Sequence, residues 1–215
     1  MTMLSEIIVV SGLPRSGTSL MMQMLENGGV AVVTDNIRTA DTDNPRGYYE
    51  FEKVKRLKQN ASWLPETRGK AFKMVSQLLY DLPASECYRV IFLERDVDEM
   101  LRSQDKMLKR LNRPAAPHDE MKRYYAVHLE RLHVWLRQQP NIDVLRINYN
   151  DLIEQPQANA ERVRQFLDGT ADVEGMARTV DPSLYRNRRT VGDGASASPP
   201  CASLGQPRAT SVNTD

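Results

Sequence analysis

The chain has 215 residues, of which 40% are hydrophobic, and its formal net charge is +1. This length predicts one well-buried core and is short for two domains. A net charge so close to zero gives no overall field for nucleic acid or for a membrane surface, so any anion site must be local and no nucleic-acid partner is expected. No apolar run approaches about 18 residues, so no membrane span is expected. The only cysteines, Cys87 and Cys201, predict neither a disulfide nor a zinc site and fit a reducing cytoplasm.

The most informative stretch covers residues 7–20, Ile-Ile-Val-Val-Ser-Gly-Leu-Pro-Arg-Ser-Gly-Thr-Ser-Leu. Its four β-branched residues predict a short strand, buried on both faces, in a parallel sheet. Gly12 and Pro14 end that strand, Gly17 permits a tight turn, and the apolar spacing from Thr18 onward predicts a helix. In such a turn, backbone N–H groups and a helix N-terminus converge on an anion, so the stretch predicts a phosphate-binding loop. Three residues of this loop carry hydroxyl donors, namely Ser16, Thr18 and Ser19, and Arg15 adds a positive charge.

The identity of this loop depends on where its cation stands. Gly12 and Gly17 have the spacing of the nucleoside-triphosphatase pattern G-x-x-x-x-G-K-[ST], but Thr18 stands where that pattern has Lys. The cation comes three residues earlier, as Arg15. The run from Pro14 to Thr18, Pro-Arg-Ser-Gly-Thr, resembles instead the 5′-phosphosulfate loop of the sulfotransferases, Pro-[Lys/Arg]-Ser-Gly-Thr. Taken alone, the loop could also be an ordinary strand-to-helix turn with incidental hydroxyls.

A long polar connection and a second strand follow the first helix. Residues 30–33 are a candidate short strand, and residues 48–57 have apolar positions at helical spacing that predict a helix. Residues 70–76 predict a strand with Lys73 near its carboxyl end, where ligands gather in open α/β sheets. Lys73 could therefore reach the same anion as Arg15, or it could be a snorkelling lysine of an edge strand.

A second chemical signal lies at residues 88–96, which predict a buried strand ending in charge and followed by a helix. Arg95 ends the strand and Ser103 follows eight residues later, about two helical turns on. Sulfotransferases carry a similar Arg and Ser pair after a strand, where it holds the 3′-phosphate of the donor nucleotide. An arginine offers a planar fork of donors to a phosphate, and a serine adds one more. The alternative is an ion pair of Arg95 with Asp96 or Asp98 at the helix start.

The later part of the chain predicts further helices and a strand. Asp119 is expected to cap a long amphipathic helix. This helix carries two histidines, His128 and His133, which are interpreted as structural or surface residues because no cysteine or carboxylate cluster lies beside them. The expected buried side of this helix consists of Tyr124, Val127, Leu129, Leu132 and Leu136. Residues 142–149 predict a strand, and residues 149–152 resemble the Tyr-Glu-Asp-Leu segment of sulfotransferases, with Asn in place of Glu. Residues 158–167 predict a helix.

The resemblance covers about residues 6–190 and implies an α/β fold, a three-layer sandwich in which a parallel sheet is flanked by helices, as in P-loop NTPases. We expect one domain over residues 1–190 and a disordered tail over residues 191–215, whose composition offers almost nothing to bury. The implied co-substrate is 3′-phosphoadenosine 5′-phosphosulfate, the implied reaction is in-line sulfuryl transfer to a hydroxyl or amine, and no metal is demanded. The acceptor, whether a small molecule, glycan, lipid or peptide, stays open. The donor-binding residues implied by the resemblance are Pro14, Arg15, Ser16, Gly17, Thr18, Ser19, Arg95 and Ser103, with Arg186 and Arg188 as candidates from a C-terminal basic segment.

For catalysis, Arg15 and Lys73 are expected to stabilise charge on the sulfuryl group. Cytosolic sulfotransferases have Lys-Thr-His on the second strand, whereas this chain has Lys-Met-Val from residue 73, so a histidine base at that position is ruled out. Some other sulfotransferases use a carboxylate roughly twenty residues after the basic residue of the loop, where Asp35 stands here. Asp35 is therefore our first candidate for the general base and Glu50 the second. Two alternatives remain, a P-loop kinase or nucleotide hydrolase and a non-catalytic nucleotide-binding member of the fold.

Overall fold

The structure is a computed structural model that describes residues 5–35, 37 and 47–181. Its centre is a sheet of four parallel strands in the order β2-β1-β3-β4. The strands are β1 (Ile7–Gly12), β2 (Ala71–Val75), β3 (Tyr88–Glu94) and β4 (Ile142–Asn148). Parallel neighbours must be joined by crossover connections, and helices supply these on both faces of the sheet. The predicted α/β fold with a parallel, helix-flanked sheet is confirmed.

The central strand β1 explains why four β-branched residues stand in a row. Ile8 and Val10 belong to one apolar cluster, and Ile7 and Val9 belong to a second cluster on the opposite face of the sheet. Side chains alternate across a strand, so a strand covered on both sides needs apolar residues at every position. Every residue of β1 is buried, as the sequence predicted.

The helices in the described part of the chain are α1 (Thr18–Asn27), α2 (Val97–Arg110), α3 (His118–Leu136), α4 (Tyr149–Glu154), α5 (Pro156–Phe166) and α6 (Val173–Arg178). Helices α1, α5 and α6 contribute Met21, Val163 and Met176 to the cluster that contains Ile8. Helix α3 covers the other face through Leu132 and Leu136. Short 3-10 helices at Glu52–Arg56, Leu64–Thr67 and Ser76–Asp81 connect the remaining segments.

Two of the predicted elements between α1 and β2 are wrong. Residues 30–33 make only an isolated bridge, between Val32 and Ala71, instead of a strand. The helix expected over residues 48–57 is reduced to the 3-10 helix Glu52–Arg56. Tyr49 has a φ of 53°, a left-handed conformation that interrupts a right-handed helix.

The buried side of α3 matches the prediction in part, because Leu132 and Leu136 are buried and Leu129 packs against them. Tyr124 and Val127 are 53% and 45% exposed, whereas the neighbouring Tyr125 is 3% exposed. Tyr125 packs with Leu13 and Met100 in a third, smaller cluster. Tyr125, rather than Tyr124, is therefore the residue of α3 that packs against the loop between β1 and α1.

Some expectations fall outside the described residues. These are the donor contacts proposed for Arg186 and Arg188, the tail over residues 191–215 and the domain end at residue 190, all of which stay predictions. Within the described ranges, no helix combines the length and the apolar composition that crossing a membrane requires.

Candidate functional site

The loop between β1 and α1 lies at the carboxyl edge of the sheet. Gly12 ends β1 and stands in register with Val75 and Leu93 of the two neighbouring strands. A Cβ at Gly12 would lie 2.7 Å from the carbonyl oxygen of Leu93 and 2.4 Å from Oγ of Ser16. The chain therefore needs glycine where it leaves the sheet and turns back over its own edge.

The loop ends at Gly17, which precedes the first residue of α1. Gly17 has a φ of 101°, and a Cβ there would lie 2.3 Å from Cδ2 of Tyr149. Among the described residues, no side chain caps the start of α1. Because the first N–H groups of a helix have no intrahelical partner, this end of α1 can serve an anion.

Ser16 carries an observation that fits a bound phosphate. Its side chain is fully buried, and its Oγ has no hydrogen-bond partner among the residues that the structure describes. Its backbone N–H donates to the carbonyl of Leu13 at 3.2 Å. A buried hydroxyl without a partner is rare, and a phosphate oxygen at the loop would satisfy it. Pro14 and Thr18, also assigned to this loop, are partly exposed.

Lys73 reaches the same loop from β2. Its Nζ donates to Oγ of Ser19 at 3.2 Å and also to the backbone carbonyl of Tyr48. Ser19 Oγ donates to the same carbonyl at 3.3 Å. The structure thus brings Lys73 to the first turn of α1.

The second predicted cluster, Arg95 and Ser103, touches the loop directly. Arg15 Nε donates to Oγ of Ser103 at 3.1 Å, and Arg95 Nη1 donates to the backbone carbonyl of Arg15 at 3.3 Å. Asp96 caps α2 by accepting the backbone N–H of Glu99 at 3.0 Å, which fixes the start of the helix that carries Ser103. The two clusters, eighty residues apart in sequence, form one site.

Two residues of this site, Glu99 and Tyr149, were not predicted from the sequence. Arg95 Nε donates to Oε2 of Glu99 at 3.1 Å, and the two side chains are only 7% and 1% exposed. Asp96 and Asp98, the acids considered from the sequence, are not the partners in this ion pair. The sequence did not separate Glu99 from these two acids, because Arg95 precedes the first residue of α2, Val97. The guanidinium carbon of Arg95 lies 4.2 Å from the ring centroid of Tyr149, and burial of that ring raises the pKa of the Tyr149 phenol while the charge on Arg95 opposes the shift.

The two candidate bases lie side by side. Asp35 accepts the backbone N–H of Ile37 through Oδ1 at 3.0 Å and the backbone N–H of Glu52 through Oδ2 at 2.6 Å. The N–H of Asp35 donates to the carbonyl of Glu50 at 3.1 Å. The carboxylate of Glu50 lies 4.0 Å from Nζ of Lys55. Asp35 therefore also organises the backbone at the start of the 3-10 helix Glu52–Arg56.

His128, which was interpreted from the sequence as structural or surface, lies near the carboxyl end of β2. Nε2 of His128 is 2.9 Å from Oγ of Ser76, the first residue after that strand. Ser76 is fully buried, and burial lowers the pKa of His128. The contact ties α3 to the sheet edge.

Comparison with known proteins adds an independent indication. A family model described as the sulfotransferase family matches residues 37–172. This match begins after the loop between β1 and α1, so the loop and the match are separate observations. None of the curated proteins compared with the chain matches it in sequence.

Two solved structures share the fold. The sulfotransferase domain from the curacin biosynthetic pathway is 17% identical, with a TM-score of 0.52 over 86% of this chain and 90% of that chain. A mouse sulfotransferase complexed with PAP is 16% identical, with a TM-score of 0.53 over 82% of this chain and 63% of that chain. At these identities the likeness concerns the fold.

Proposed function

The chain belongs to the sulfotransferase family, and from this premise we propose that it moves a sulfuryl group from 3′-phosphoadenosine 5′-phosphosulfate to a hydroxyl or amine of an acceptor by in-line displacement. The observation that carries the proposal is the contact between the two donor clusters. Arg15 Nε lies 3.1 Å from Oγ of Ser103, and Arg95 binds the carbonyl of Arg15. Both phosphates of the donor are attached to one ribose, so the groups that hold them must be neighbours.

We assign the 5′-phosphosulfate end of the donor to the loop before α1. Its backbone N–H groups, the buried hydroxyl of Ser16 and the cations Arg15 and Lys73 are the groups that suit this end. The remaining loop contacts that we assign are Pro14, Gly17, Thr18 and Ser19. The 3′-phosphate is assigned to Arg95 and Ser103, and Arg186 and Arg188 stay candidates for the same phosphate.

The residues also suit the transfer step. The donor, when bound, supplies a sulfuryl group on a phosphate leaving group. Arg15 and Lys73 would stabilise the negative charge that develops there, because oriented cations and N–H groups need no reorganisation during transfer. Asp35, or Glu50 in second place, would accept the proton that the acceptor loses. Each carboxylate oxygen of Asp35 accepts one hydrogen bond from a backbone N–H group. Because a carboxylate oxygen has two lone pairs, one lone pair is left to accept this proton.

The test is a transfer assay with labelled donor and an acceptor library of phenols, sugars, lipids, amines and peptides, run with a chelator present. We expect labelled product from at least one acceptor class and release of adenosine 3′,5′-bisphosphate in equal amount. Arg15→Ala should abolish both, whereas Arg137→Ala, which removes an exposed cation at the C-cap of α3, should change neither.

Two other results would contradict the proposal. Magnesium-dependent binding of ATP without binding of the bisphosphate would indicate a kinase or nucleotide hydrolase. Binding of the bisphosphate without transfer to any acceptor would indicate a non-catalytic nucleotide-binding protein.

A further inference from the structure

Glu99 is a buried charge that the proposed reaction does not use directly. Its carboxylate is 1% exposed and pairs with Nε of Arg95 at 3.1 Å. A charged group is almost never buried to this degree unless it is paired and hydrogen-bonded. The position of Glu99 is fixed in turn, because its backbone N–H is held by the cap residue Asp96 at 3.0 Å.

The other end of the Arg95 guanidinium acts on the phosphate loop. Nη1 of Arg95 donates to the carbonyl of Arg15 at 3.3 Å, and the N–H of Ser16, on the same peptide unit, donates to Leu13 at 3.2 Å. A peptide unit is planar, so these two bonds fix its orientation from both ends. Arg15 has a φ of 70°, which a non-glycine residue keeps only where its surroundings hold it.

Tyr149 adds a second route from Arg95 to the loop. The guanidinium carbon lies 4.2 Å from the ring centroid, and the ring fills the space in which a side chain at Gly17 would stand. Arg95 thus contacts the backbone of Arg15 directly, and it packs on the Tyr149 ring, which in turn lies against Gly17. A planar, always-charged guanidinium holds such contacts in fixed directions and can stack on a ring, whereas the three donors of an ammonium group rotate on a flexible stem.

We propose that Glu99 is a positioning residue that acts through Arg95 to hold the phosphate loop in its anion-binding shape. The inference rests on the proposed function, and it gives Arg95 a role that does not require the 3′-phosphate. The consequence is specific: the loss of the charge on Glu99 weakens the binding of a nucleotide that carries only the 5′-phosphosulfate.

The experiment compares Glu99→Gln with the wild-type chain by calorimetric titration of adenosine 5′-phosphosulfate and of adenosine 3′,5′-bisphosphate. We expect the affinity for adenosine 5′-phosphosulfate to fall about five- to tenfold, since a hydrogen bond to a charged group is roughly twice as strong as a neutral one. The affinity for the bisphosphate should fall by at least as much. Asp98→Asn is the matched control, because Asp98 lies on the same helix but pairs with Lys122 at the surface, and it should leave both affinities unchanged.

A second measurement separates loop positioning from a general loss of stability. Amide hydrogen exchange in Glu99→Gln should be faster across residues 13–17 and unchanged in β1. Should Glu99→Gln fail to fold, Arg95→Lys tests the same link, since a lysine keeps the charge but loses the rigid fork that joins Glu99 to the carbonyl of Arg15. It too should weaken adenosine 5′-phosphosulfate binding.

Unchanged affinity for adenosine 5′-phosphosulfate in Glu99→Gln, or in Arg95→Lys where Glu99→Gln does not fold, would overturn the inference, whether or not bisphosphate binding falls. A fall confined to the bisphosphate would mean that Glu99 only orients Arg95 toward the 3′-phosphate. A wild-type chain that binds neither nucleotide would overturn the proposed function, and the inference with it. Failure of the inference about Glu99 and failure of the proposed function therefore give different binding results.

Discussion

At the scale of single residues, Asp35 combines a structural and a proposed chemical role. Its two carboxylate oxygens accept the backbone N–H groups of Ile37 and Glu52. An amide side chain has one acceptor oxygen and cannot take up a proton at neutral pH. A substitution at Asp35 therefore changes both the local backbone and the proposed base, and the two effects need separate measurements.

We predict that Asp35→Asn abolishes sulfuryl transfer but leaves the dissociation constant of adenosine 3′,5′-bisphosphate within a few-fold of the wild-type value. The transfer assay and calorimetric titration check the two parts. The loss of one hydrogen bond from a backbone N–H group to the side chain of residue 35 should lower the free energy of unfolding by about 1 kcal/mol, which a urea titration measures. Glu50→Gln is the comparison variant, and undiminished turnover in Asp35→Asn would remove Asp35 as the base and leave Glu50.

The residues found from the sequence and the residues that it missed differ in the kind of signal that they carry. Arg95 and Ser103 could be proposed because they follow a strand at a family-like spacing. Glu99 could not be told from Asp96 or Asp98, since all three are acids near a helix start. Only tertiary burial, which leaves Glu99 1% exposed, selects it as the partner of Arg95. Tyr149 was missed as a contact of the loop because 132 residues separate it from Gly17 along the chain.

At the scale of elements, the turn from β1 to α1 depends on a glycine at residue 17. We predict that Gly17→Ala abolishes bisphosphate binding and destabilises the fold by about 1–3 kcal/mol, through its positive φ and the close approach of the Tyr149 ring. Calorimetric titration and urea unfolding measure the two effects.

Gly29 provides the matched control for this substitution. Its φ is also positive, at 83°, but a Cβ there would meet no heavy atom within 4 Å. Gly29→Ala therefore carries the backbone cost without the clash, and it should leave nucleotide binding intact. Equal loss of binding in both variants would mean that backbone strain alone, and not the packing of Tyr149, governs the loop.

The elements predicted from hydrophobic pattern were those with a strong period. Strands β1 and β3 were found because continuous apolar runs mark them, and α2 was found because its start follows a charged strand end. The apolar run at residues 30–33 makes only an isolated bridge, so such a run does not by itself establish a strand. The helix expected over residues 48–57 failed because the left-handed conformation of Tyr49 is a local backbone choice that apolar spacing does not record. The burial of Tyr125 in place of Tyr124 depends on the third cluster around Leu13, which forms only in the folded chain.

At the scale of the whole molecule, the strand order explains how distant motifs form one site. With β1 between β2 and β3, the chain segments that follow all three strands emerge at one edge. Lys73 of β2 and Arg95 after β3 thus flank the loop that follows β1. A parallel sheet was predictable from the sequence, but the order of its strands was not, since several orders satisfy the same apolar pattern.

Two histidines of α3 make the stability of the whole fold depend on pH. Burial lowers the pKa of His128, and burial together with the charge of Arg146 lowers the pKa of His133. A histidine with a lower pKa in the folded state binds fewer protons there than in the unfolded chain, so unfolding is accompanied by proton uptake. The free energy of unfolding should thus be at its full value above the unfolded pKa of about 6.5 and fall as the pH drops through the folded pKa.

We predict that urea unfolding of the wild-type chain gives a smaller free energy at pH 5.5 than at pH 7.5, two values chosen about one unit either side of that unfolded pKa. His128→Gln should show a smaller difference between the two pH values, because glutamine can keep a hydrogen bond to Ser76 but does not titrate. The double variant with His133→Gln should flatten the dependence further. The same slope with pH in the wild-type chain and in both variants would show that neither imidazole is held neutral by the fold, and that the packing of α3 on the sheet edge is looser than its contact with Ser76 implies.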